Sequence, residues 1–209
     1  MKNFVISSLA VFFITSFCAL HADSYYGVHE DKPYQFDITK DVHSTATIYR
    51  INSKLRETYP GSVKKSAFRI RTNYDLSNEH GWQATGITRI MSLGSLFSWA
   101  KDIDIYDTRR VQIGMIDGEL ATLESAKFSI YEYDEKGGAN RVAIAYANSN
   151  FQRFIVLAEN SNINPIPIAE LSRTESNNWH VSVNYPEKID DRIIRIFAGF
   201  VVDYQDKFL

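Results

Sequence analysis

The segment Asp190-Asp191-Arg192-Ile193-Ile194-Arg195-Ile196-Phe197-Ala198-Gly199-Phe200-Val201-Val202-Asp203-Tyr204 constrains this chain more than any other. It is continuously apolar from Ile196 to Val202, so it must be buried on every side wherever it packs. Asp190 is placed to cap a helix, and Asp191 suits the positive helix start. Read as a helix, Ile193, Ile194, Ile196, Phe197, Phe200 and Val201 cover most of its circumference. One last buried strand is the alternative, which Ile and Val favour. Length decides for the helix, because strands usually run about 4–8 residues. The β-branched residues lower helix propensity, so the surroundings must impose the conformation. A tail of this kind needs a sleeve.

What precedes it supplies strands. Val63 to Arg71 alternates through Ala67, Arg69 and Arg71 on one side and Ser66, Phe68 and Ile70 on the other, the pattern of a half-buried strand. Ile103–Asp107 pairs with Val111–Ile116 across Thr108-Arg109-Arg110. Lys127–Tyr133 pairs with Arg141–Tyr146 across a turn holding Gly137-Gly138. Phe151–Ala158 pairs with Ile166–Leu171, and Trp179–Val183 is a final strand. Gly, Asn and Asp turns between β-branched runs are what hairpins require. The expectation is a meander of antiparallel strands, mainly β, with the helix at its end.

The chain opens with Met1-Lys2-Asn3, an apolar run from Phe4 to Leu20, and His21-Ala22 before polar sequence begins. A basic start, an apolar stretch and a small final residue read as a signal peptide over 1–22. The competing reading, an uncleaved anchor, needs roughly 20 apolar residues, and Ser7, Ser8, Thr15 and Ser16 dilute this run. The expected product is therefore exported, periplasmic or secreted, without a stable transmembrane span. Cys18 is the single cysteine and falls in the leader, where the bulky Phe17 before it argues against lipid attachment. With no disulfide to lean on, stability rests on the core. Residues 23–44 read as an N-terminal extension contributing at most an edge strand, and 45–209 as one domain.

Serial hairpins, Ile103-Asp-Ile-Tyr-Asp followed by Gln112-Ile-Gly-Met-Ile, then Phe128-Ser-Ile-Tyr-Glu-Tyr-Asp and the closing Asp191-Arg-Ile-Ile-Arg-Ile-Phe-Ala-Gly-Phe together resemble the tubby C-terminal-like superfamily. The LURP-one-related and phospholipid-scramblase branches are the most similar, over roughly Thr45 to Asp206. The resemblance implies a closed antiparallel barrel of about twelve strands around a hydrophobic C-terminal helix, which fills a sleeve that would otherwise be hollow. Tubby domains bind phosphoinositide head groups through Lys and Arg, and scramblases carry a palmitoylated cysteine cluster and an acidic cation segment. Neither set can be matched here residue by residue, and the export signal departs from relatives that act inside cells.

The chemistry is sparse. Among His21, His29, His43, His80 and His180, none stands at metal-ligand spacing from another His or an acid. No Gly-x-Ser-x-Gly elbow is present. The pairs Asp102/Asp104 and Glu132/Asp134 each share a strand face, which suits either acid–base work or a solvated outer wall. With 23 basic against 25 acidic residues, nothing draws the chain to nucleic acid. The best basic patch is Lys64, Lys65, Arg69 and Arg71, with Arg109 and Arg110 at a hairpin tip. Such a patch suits a phosphate or carboxylate, and equally the polar outer face of a strand. The Gly- and Ser-rich apolar stretch Met91–Trp99 is either core packing or a contact for lipid or partner. The functional expectation is an exported, non-enzymatic binding domain for a phospholipid or other anionic ligand, with no cofactor. The alternative is an exported hydrolase with an acid-based site.

Overall fold

The computed structural model describes residues 32–43, 46–53, 60–66, 71–89, 101–122, 125–159, 165–175 and 178–205. The leader read at 1–22, the Met91–Trp99 stretch and Arg69 lie outside the described residues. Twelve strands run β1 (Tyr34–Val42), β2 (Ala46–Asn52), β3 (Gly61–Ser66), β4 (Asn73–Asn78), β5 (Gly81–Thr88), β6 (Ile103–Asp107), β7 (Gln112–Thr122), β8 (Ser125–Tyr133), β9 (Ala139–Ala147), β10 (Arg153–Ala158), β11 (Pro167–Glu175) and β12 (Asn178–Val183). Each pairs antiparallel with its neighbours in sequence, and β12 returns to β1, closing the barrel. Among the described residues one α-helix, α1 (Asp191–Tyr204), follows.

Alternation explains the wall. Ile103 and Ile105 of β6 are fully buried while Asp104 and Tyr106, at the alternate positions, are half-buried. Inward residues such as Tyr49, Val63, Tyr74, Phe128, Phe154 and Val181 join Ile193 to Val202 of the helix in one core. Tyr34–Val42, in the segment read as an extension, is a full stave between β2 and β12, so the barrel has no edge strand there.

One expectation is overturned. The strand read from Val63 to Arg71 ends at Ser66, and Arg71 sits in a bend ahead of β4. Lys64 is paired with Asp75 and Lys65 with Tyr74, so the chain has to reverse direction between Ser66 and Asn73. Residues 67–70 of that reading lie outside the described residues.

The predicted helix is present, with its cap. The Asp190 carboxylate accepts from the Arg192 backbone N–H at 2.8 Å, and Glu132 of β8 accepts from the Asp190 N–H at 2.7 Å. Phe128 sits at the centre of the lumen, with ring centroids 5.6 Å from Phe197 and 5.5 Å from Phe200. Glycines, Gly114 and Gly199 among them, let helix and wall touch. A Cβ on Gly114 of β7 would lie 2.4 Å from Ile193 Cδ1 and 2.8 Å from the Tyr131 carbonyl oxygen. A Cβ on Gly199 would meet Val63 Cγ1 at 2.9 Å, and that closeness offsets the roughly 1 kcal/mol a mid-helix glycine loses against alanine. Among the described residues, the helix and the inward side chains of the wall together form the core that fills the lumen.

Candidate functional site

The outer wall of β4, β5 and β6 carries a groove of about 580 Å³ lined by Asn73, Asp75, Trp82, Thr85, Ile87, Tyr106 and Arg110. Its making is local. In β4, Tyr74 and Leu76 point inward, which turns Asn73 and Asp75 out. The β4–β5 register shifts between Leu76 and Ser77, so that Ala84 opposes Leu76 but Trp82 opposes Ser77. Strict alternation from the inward Ala84 would send Trp82 into the lumen. The bulge re-aims it to the outside, a common use of an extra residue beside a site. A second shift, between Ile105 and Tyr106 opposite β7, flanks the other side.

Trp82 is then pinned. Its indole N–H donates to the Ala84 carbonyl (3.0 Å) and to Thr85 Oγ1 (2.9 Å), and the Thr85 hydroxyl donates to Asp75 Oδ1 (2.8 Å). The ring itself remains 42% exposed. Burial raises the Tyr106 phenol above its ordinary pKa, helped by Asp104 and opposed by the charges of Arg89 and Arg71. Arg71 is therefore near enough for its charge to reach the groove.

Arg110 reaches the groove from the β6–β7 hairpin. Asp107 builds that hairpin: its carboxylate accepts from the N–H groups of Arg109 (2.8 Å) and Val111 (2.9 Å). Burial alone would raise Asp107, but the hydrogen bonds from Val111 and Arg109 outweigh it and hold the carboxyl below its usual range. Arg110 itself has φ of 63°, the left-handed region that a non-glycine residue occupies at some expense in strain. Among the described residues its side chain, like those of Arg71 and Lys64, makes no hydrogen bond or ion pair.

The structure therefore sorts the predicted basic residues. Arg110 lines the groove, Arg71 stands near it, and Lys64 is exposed on β3 beside Asp75. Arg109 is exposed but partnered by Asp107 at 3.2 Å. Lys65 leaves the patch altogether. It shares Val63's inward parity, and its Nζ meets Asp203 of the helix at 2.7 and 2.9 Å. Tyr49 and Tyr74 donate to the same carboxylate at 2.5 and 2.8 Å. Burial, reinforced by Asp203, pushes both phenols well above the ordinary tyrosine pKa, so they stay protonated and donate. The buried Trp179 N–H donates to Gln205 at 2.6 Å alongside.

No family model and no curated protein matches this chain.

The acids singled out as catalytic candidates are engaged elsewhere. Asp104 receives Arg89 at 2.6 and 2.9 Å and Gln112 at 3.0 Å. Glu132 receives the Asp190 N–H, and Asp134 caps its turn through the N–H groups of Lys136 and Gly138. Asp102 instead hydrogen-bonds Asp117, and burial together with that neighbouring charge pushes its pKa up to about 6. Among the described residues no three His, Cys, Asp or Glu side chains gather to hold a metal ion, and no helix is long and apolar enough to cross a membrane. What the sequence reading missed is the site's own floor. β4 and β5 show only Tyr74, Leu76 and Ala84 as clear inward apolar positions, too few for an alternation signal, and the bulge breaks the period at Trp82. The available signal was Asn78-Glu79-His80-Gly81, a turn between two short runs.

Proposed function

We propose that this chain is an exported, non-enzymatic binding domain that holds an anionic ligand in the outer groove of β4–β6. The observation that carries the reading is Arg110: an unpaired guanidinium, delivered by a strained hairpin residue to the rim of a groove walled by Trp82, Tyr106 and Ile87. A guanidinium offers a planar fork of donors to phosphate or carboxylate. Arg71 and Lys64 add positive charge around the same face. Export rests on the leader at 1–22, and the tubby-like reading is supported by the closed barrel around a C-terminal helix. A phospholipid head group and a soluble phosphate or carboxylate share the chemistry that Arg110 recognises.

The test pairs Arg110→Gly with Arg71→Ala. Glycine accepts the left-handed φ that Arg110 adopts, so the hairpin should hold its melting temperature or gain. Sedimentation with phosphatidylglycerol vesicles and titration with inorganic phosphate separate the two anion sources. Wild type should bind at least one of them, more weakly in salt, and the double variant should lose about tenfold or more in affinity. Equal binding by both proteins would reduce these arginines to a solvated strand face. N-terminal sequencing of the exported protein should find a start near Asp23; an intact Met1 would make it membrane-anchored instead.

A further inference from the structure

We infer that the groove recognises an acidic sugar, a ring bearing several hydroxyls and a carboxylate, as found in uronate-containing glycans. The inference rests on the anion-binding reading and adds what the floor of the groove requires. Asn73 is the deciding residue. It is only 7% exposed, it lines the groove, and among the described residues its side-chain amide has no hydrogen-bond partner. Buried polar groups are nearly always paired, so one that is not marks a place where something else belongs. An amide offers both donors and an acceptor, which a hydroxyl, itself donor and acceptor, satisfies.

Asp75 narrows the class. One of its oxygens accepts from Thr85, and the carboxylate remains an acceptor facing the groove. The charge of Asp75 weakens the hold on a bare anion, so the tightest ligand is one that pairs with Arg110 and also brings hydrogen donors to Asp75. Trp82 adds the shape. Its N–H is already spent on Ala84 and Thr85, which fixes the indole plane and leaves only its face for contact. The apolar C–H face of a sugar ring packs on that indole face. Donors below, an anion at one end and a ring face between describe a sugar acid. The volume, about 580 Å³, lies within the range of about 300–1,000 Å³ usual for small-molecule sites and exceeds a single ring, so it accommodates a short chain.

Titration of the full mature protein with trigalacturonate, followed by tryptophan fluorescence and calorimetry, tests this against maltotriose and inorganic phosphate at matched ionic strength. Trigalacturonate should bind at least about tenfold tighter than either, since each lacks one half of the recognition. Asn73→Ala should weaken trigalacturonate about fivefold and phosphate by a smaller factor, and its melting temperature should hold or rise, because an unpaired amide is removed. Trp82→Phe, which keeps a ring, should weaken it less than Trp82→Ala. Trigalacturonate binding no tighter than phosphate, or unaffected by Asn73→Ala, would overturn the sugar assignment and leave the anion groove standing. Failure of every anion to bind would remove both.

Discussion

Asp203 shows how much a single charged residue can ask of its surroundings. A carboxylate in the last turn of a helix faces the negative end of the dipole, and this one is 7% exposed. It is tolerable because Lys65, Tyr49 and Tyr74 converge on it from β2, β3 and β4. Removing one partner of such a buried pair leaves the other uncompensated, so Lys65→Met should cost about 3 kcal/mol by chemical denaturation. The same variant should bind anions as wild type does, since Lys65 is not on the outer wall. A loss of binding without loss of stability would return Lys65 to the ligand site. The Asp102–Asp117 pair gives a pH signature. The folded-state pKa of Asp102, about 6, lies above its ordinary 3.8, so the native state holds the proton longer than the unfolded chain. Stability should therefore fall as pH rises from about 4 to 6. Asp117→Asn should recover about 1 kcal/mol at pH 7.5, a figure reduced for partial exposure, and almost nothing at pH 4. A gain equal at both pH values would contradict the raised pKa of Asp102. At this scale the sequence was legible only where charge sits at a turn, as with Asp190. That Lys64 and Lys65, adjacent in sequence, face opposite sides of a barrel wall is set by register, and register needs the partner strand.

The helix is the element on which the fold turns. Its apolar run was readable as something that must be enclosed, and its cap as Asp190, because both signals are local. Phe200 packs against Phe128 at 5.5 Å, Tyr74 at 6.1 Å and Tyr204 at 4.8 Å, so it binds two staves to the helix. Phe200→Ala should cost about 3–5 kcal/mol, seen as a large drop in melting temperature; a drop of a degree or two would mean the ring is peripheral. Gly114 makes the complementary prediction from the wall. A methyl there meets the Tyr131 carbonyl at 2.8 Å as well as Ile193, and a backbone oxygen cannot rotate away. Gly114→Ala should destabilise by about 1–3 kcal/mol by thermal or denaturant unfolding. Strands β6 to β12 were legible through alternation, whereas β4 and β5 were not, because they show few inward apolar positions and a bulge breaks the period at Trp82. Aromatic and buried polar residues on an outward face, such as Trp82 and Asn73, replace the simple polar positions that a period-two pattern depends on.

A barrel of twelve strands encloses more room than side chains of the wall alone can fill, and α1 fills it. The two are interdependent, so a chain ending at Lys188 should not fold, and a soluble, cooperatively melting product of that deletion would show that the core lies elsewhere. The filled lumen agrees with the proposed outer site. Closed barrels that bind small molecules often do so inside; here the interior is occupied by Ile193 to Tyr204, and the cavity with polar groups to spare lies on the outer wall. Mapping amide and indole NMR shifts while titrating trigalacturonate or inorganic phosphate tests this division directly. The account predicts shifts concentrated at Asn73, Asp75, Trp82, Tyr106 and Arg110, with the signals of Phe128, Phe197 and Phe200 unmoved. Shifts centred on those lumen residues, or no shifts with any anion, would contradict it.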